Sequence, residues 1–66
     1  MTSKEAAQRI LSGIIDVIGY YREDVEAARG SGCDSLAERY QISVDTLAML
    51  AAGLQSSIDQ GEYGDV

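Results

Sequence analysis

From Ala7 to Ala28 the apolar residues of this chain recur at three- and four-residue steps, the period of an α-helix that buries one stripe. Ala7, Ile14, Tyr21 and Ala28 form one seven-residue row, Ile10 and Val17 a second, and Leu11, Ile18 and Val25 a third. Gln8, Arg9, Ser12, Asp16, Gly19, Glu23 and Glu26 fill the opposite side. Thr2-Ser3-Lys4-Glu5 has the spacing of a capping box, in which the Thr2 hydroxyl meets an early amide and Glu5 reaches back to the cap. The pattern predicts one helix from Ser3 to Arg29. Gly13 and Gly19 each cost it about 1 kcal/mol of propensity, so a break, if there is one, falls near Gly19-Tyr20.

Gly30-Ser31-Gly32 is the strong breaker cluster, and Gly30 after Arg29 suits a left-handed helix end with a cation in the last turn. Ser35-Leu36-Ala37-Glu38 repeats the capping-box spacing and predicts a short helix through Tyr40, ending near Gln41-Ile42. Ser43 then caps a third helix whose apolar set is Val44, Leu47, Ala48, Leu50, Ala51, Leu54 and Ile58, with Met49 and Ala52 at the edges. The expected fold is all-α with three helices: a long amphipathic one, then a short pair. It forms a single domain over residues 1–58, followed by a flexible acidic tail over 59–66.

At about 1.5 Å per residue the first helix is roughly 40 Å long, against about 28 Å for a compact domain of this size. Its stripe should overhang the domain, and the same stripe of a second copy, antiparallel about a two-fold axis, would cover it. A homodimer is therefore expected, with Ile14, Val17, Tyr21, Leu47 and Leu54 as core or dimer residues. A chain of 66 residues has a limited core and often recruits a disulfide, a metal or a second subunit. With one Cys and no His, the second subunit is the option left.

That composition also narrows function. Without His, and with Cys33 lacking a nearby base to lower its pKa, the usual proton shuttles, metal ligands and nucleophile partners are scarce. No catalytic residue, cofactor or metal is expected. The acidic run Glu23, Asp24 and Glu26 beside Arg22 and Arg29 reads as a solvated helix end, since it lacks the alternating oxygen ligands of a calcium loop. Cys33 has no partner in the chain, which favours a reducing, cytoplasmic setting. No apolar run approaches the roughly 18 residues of a membrane span, and MTSKEAAQRI carries charges where a signal peptide needs apolar residues.

The stretch from Asp34 to Leu50 resembles the helix-turn-helix core of small transcription regulators. Leu36, Ala37, Tyr40, Ile42, Ser43, Leu47 and Leu50 stand where that pattern wants them, while Gln41 replaces its usual turn Gly. The resemblance implies a DNA-binding regulator. The outward positions, Ser43, Val44, Asp45, Ala48 and Met49, hold no Arg, Lys, Gln or Asn to read base edges. Residues 30–66 contain one base, Arg39, against six acids, and the whole chain carries −6; direct DNA binding is disfavoured. The expectation is instead a small acidic module that binds another protein and regulates or inhibits it. In size and charge it is similar to the inhibitors that phages and mobile elements direct at host regulators and nucleic-acid machines. A DNA-binding regulator and a structural assembly subunit are the competing readings. Tyr20, Asp45 and Met49 are the expected partner-binding residues, because an outward Tyr supplies large contact area with few rotamers.

Overall fold

The computed structural model describes residues 1–64 and contains two helices, α1 (Ser3–Gly30) and α2 (Asp34–Asp59), joined by a three-residue turn. They run antiparallel as one hairpin. The all-α expectation holds for the described residues, but the count of three helices is overturned: Asp34 to Asp59 is one continuous helix. No break occurs at Gln41-Ile42, and Ser43 caps nothing. Its Oγ lies 3.4 Å from the Arg39 carbonyl oxygen, to which it donates from within the helix. The physical reason is the seam. Ala37, Val44, Ala51 and Ile58 stand seven residues apart; three are buried and Ala51 is half-buried. A turn at Gln41 would take Ala37 and Val44 off a common face, and no Gly or Pro there forces one.

α1 starts as its sequence indicates. The Thr2 Oγ1 accepts the Glu5 amide at 3.1 Å; Glu5 answers through its carboxylate, which accepts the Thr2 hydroxyl at 3.2 Å. The helix passes through Gly13 and Gly19 without interruption. At its end, Gly30 is still helical and the left-handed residue is Gly32, at φ 76°. The Cys33 amide donates to the Ala28 carbonyl at 2.8 Å and the Gly32 amide to Arg29 at 3.0 Å, the two bonds of a Schellman ending. α2 ends the same way. Gly61 has φ 78°, its amide donates to Ile58 at 3.0 Å, and Glu62 donates to Ser57 at 3.1 Å. Of the acidic tail expected over 59–66, Asp59 closes α2 and Gln60–Tyr63 form turns; Asp65 and Val66 lie outside the described residues.

Packing is confined to one seam. Ala7 and Leu11 cluster with Ile58, supported by Ala51 and Leu54. Val25 and Ala28 cluster with Ala37, supported by Tyr40. These clusters sit at the two ends of the hairpin. Small residues at Ala7, Ala28 and Ala37 let the backbones approach there. No large side chain is fully buried among the described residues. The body measures 48 × 17 × 10 Å, a single layer one helix thick. α2 therefore runs back along almost the whole of α1, and the overhang expected from a compact three-helix body does not arise.

Two substitutions test this arrangement. Ser43→Ala should stabilise the hairpin by a few tenths of a kcal/mol through helix propensity, whereas loss of a helix cap would cost about 0.5–2 kcal/mol; urea unfolding followed by circular dichroism separates the two signs. Ala37, only 1% exposed, has no room for growth, so Ala37→Leu should destabilise by about 1–3 kcal/mol in the same assay.

Candidate protein interaction surface

The three apolar rows of α1 meet different fates. The row of Leu11, Ile18 and Val25 is buried. The row of Ala7, Ile14, Tyr21 and Ala28 is buried at its ends and half-buried at Ile14 and Tyr21. The row of Ile10 and Val17 faces outward, at 60% and 40% exposure. On α2 the row beside the seam, Tyr40, Leu47 and Leu54, is half-buried throughout, and Leu50 next to it is 58% exposed. The two half-buried rows lie on the same side of the hairpin, because Tyr21 and Tyr40 meet with ring centroids 5.8 Å apart and planes tilted by 44°.

Between these rows, at mid-hairpin, lies an open groove of about 360 Å³ lined by Val17, Tyr21, Ile42, Ser43, Thr46 and Leu47. Its cause is a local shortage of volume. Ser43 is too small to reach across the seam, and both core clusters are centred nearer the hairpin ends. A second hollow of about 260 Å³ flanks the turn, between Asp24, Ser31, Cys33, Leu36 and Tyr40.

Charge is excluded from the same region. From Thr46 to Ile58 α2 has no charged residue, and from Ile10 to Tyr21 α1 has only Asp16. Asp16 is exposed and shares the outer row of Arg9 and Glu23. Because Ala7 packs at the level of Ile58 and Ala28 at the level of Ala37, these two stretches lie opposite one another. Asp16 and Asp45 apart, the acids and bases gather toward the turn and the chain ends, leaving an apolar belt between them.

The expected site residues are distributed around this belt. Ile14, Tyr21, Leu47 and Leu54 are half-buried along the open side of the seam, and Val17 is exposed beside them. Tyr20 is 68% and Met49 76% exposed. Tyr20 lies on the outer surface of α1 and Met49 on that of α2, so they do not form one patch. Asp45 is exposed on α2, where it accepts a 3.0 Å hydrogen bond from the Gln41 side chain one turn earlier. Ile42, at 64% exposure, was not singled out in the sequence as a surface residue. It stands seven residues before Met49 on the same outward row, and that apolar i, i+7 pair is the signal that could have found it. Cys33 is exposed at the turn, with Sγ 3.9 Å from the Ser31 carbonyl oxygen.

No family model matches this chain, and no curated protein or solved structure is significantly similar to it.

The tyrosine pair gives the surface a measurable internal contact. An aromatic pair at this separation contributes about 0.5–1.5 kcal/mol beyond the area it buries. A double-mutant cycle of Tyr21→Leu and Tyr40→Leu, read by thermal unfolding, should return a coupling of that size, and additive effects would show that the rings do not interact.

Proposed function

We propose that this chain is a small acidic protein-binding module that regulates or inhibits a partner protein by occupying its surface, without chemistry of its own. The observation that carries the reading is the outward row of α2, where Ile42 and Met49 are 64% and 76% exposed, Met49 within a stretch that holds no charge from Thr46 to Ile58. A soluble helix ordinarily places charge on its outer face. Here large apolar side chains stand at i and i+7, the spacing with which an amphipathic helix seats anchors in an apolar groove. The occupant that fits is an apolar groove on a target protein.

Charge would then act at a distance. With a net charge of −6 and acids concentrated at the hairpin ends, the module would approach basic surfaces faster than acidic ones. The same charge weighs against a DNA-reading role. So does the outward row Ser35, Ile42, Met49 and Ser56, which offers no side chain suited to bidentate base contacts.

The test is affinity capture from nuclease-treated lysate of the source organism, comparing the wild-type chain with Met49→Glu, Ile42→Glu and Asp45→Asn, the last at a carboxylate already engaged by the Gln41 side chain. One protein should be recovered in stoichiometric amount by the wild type and by Asp45→Asn. It should be lost with either glutamate variant and unchanged between about 0.05 and 0.5 M salt. Capture that collapses with salt and ignores Met49 would instead identify the carboxylates as the binding groups. Capture of nucleic acid alone would overturn the reading.

A further inference from the structure

The open side of the seam meets the outward row of α2 at Ile42 and leaves Met49 aside, and we infer that a second copy of this chain covers it, so that two hairpins stack as a four-helix bundle. The inference rests on the reading of the belt as a protein-docking surface and names the occupant of its inner face.

Area is the first argument. A compact monomer of 7.1 kDa exposes about 4,100 Å², whereas the hairpin exposes 4662 Å². Its radius of gyration is 14.9 Å, against about 11 Å for a compact chain of this length. A compact body of twice the mass would expose roughly 6,800 Å², so stacking two hairpins could remove up to about 2,500 Å² in total, which leaves room for the ~1,600 Å² of a standard interface even in an elongated pair.

Shape agrees. The hairpin is 10 Å thick and 17 Å wide, and adding a second layer at a helix-packing distance of about 8–10 Å gives the near-square section of a four-helix bundle.

Chemistry selects the copy. The face consists of Ile10, Val17 and Leu50, all exposed, with Ile14, Leu47 and Leu54 half-buried between them. None is charged. Two chains of −6 repel wherever their carboxylates meet; the acid that continues the row of Ile10 and Val17, Asp24, lies beside the turn, so an antiparallel stacking keeps the two copies' Asp24 apart while the uncharged middle makes the contact. An isologous contact needs a self-complementary surface; an uncharged row of aliphatic ridges beside an open groove at Ser43 supplies both the knobs and the hole. Ile42 lines that groove and so borders the contact, whereas Met49, farther along the outer row of α2 and 76% exposed, stays outside it and available to another protein.

Sedimentation equilibrium on the full chain tests this. The wild type should run at twice 7.1 kDa down to about 10 μM. Val17→Asp and Leu50→Asp should each weaken association at least 100-fold. Ile15→Asp, at a 55% exposed position on the opposite edge of α1, should leave it unchanged. Should either variant lose its helical circular dichroism, Leu50→Gln replaces it and should still weaken association at least tenfold. A wild-type chain that stays folded and monomeric at about 100 μM overturns the inference, as does a larger oligomer or a dimer sensitive to Ile15 and indifferent to Val17. A monomer that still captures a partner through Met49 removes the dimer and leaves the functional reading intact. A dimer that captures nothing does the reverse.

Discussion

Everything in this protein follows from having a single seam. Two helices in contact can bury one stripe each, and a stripe wider than the contact must stay in water. α1 has three adjacent apolar rows, and α2 covers one row fully and a second in part. The third, Ile10 and Val17, has no place to go within the chain. Register makes the choice: Ala7, Ala28 and Ala37 are the small residues that let the helices close at both ends, and once they face each other Leu11, Ile18 and Val25 are carried inward. The thin core, the open groove and the exposed belt are consequences of that one alignment.

The sequence was most legible where local chemistry and packing agree. Thr2 and Glu5 mark the start of α1 without ambiguity, and the three- and four-residue steps carry the helix past Gly19 because Ile18 and Val25 on the other face are buried. Ser35 and Ser43 misled for the same reason that Thr2 did not. Each has the residue type of a cap, but capping is a weak preference of about 1 kcal/mol, and a seven-residue seam from Ala37 to Ile58 outweighs it. That seam was hard to see because two of its four members are alanines, which register poorly in a hydrophobicity pattern. The placement of the left-handed residue at Gly32 instead of Gly30 has a similar origin. Either glycine could end the helix, and the six-residue bond from Cys33 to Ala28 forms only with the later one.

The candidate surface was legible in part. Exposure of Tyr20 and Met49 follows from the helical period alone, since each stands on a row away from the apolar stripe. Which of Ile14, Val17, Tyr21, Leu47 and Leu54 would be sealed and which left open depends on the alignment of the two helices, and a three-helix reading supplied the wrong neighbour for each. Asp45 illustrates the limit from the polar side. Its carboxylate is engaged by Gln41 one turn away, a contact that exists only because the helix is continuous through Ser43.

A single-seam hairpin also ties folding to association. The buried side chains number few and none of the large ones is sealed, so the stability of an isolated hairpin is marginal, and any surface that covers the open rows adds directly to the free energy of the folded state. Stacked on its own copy, the chain gains the second layer that domains of this kind normally carry within one polypeptide. The distribution of charge fits that economy: most of the acids lie toward the turn and the chain ends, and the two near the middle, Asp16 and Asp45, stand on rows away from the open side of the seam. What remains outside the stack is the outer surface of α2 around Met49, and a bundle of two chains would present it twice, on opposite sides, to whatever partner it meets.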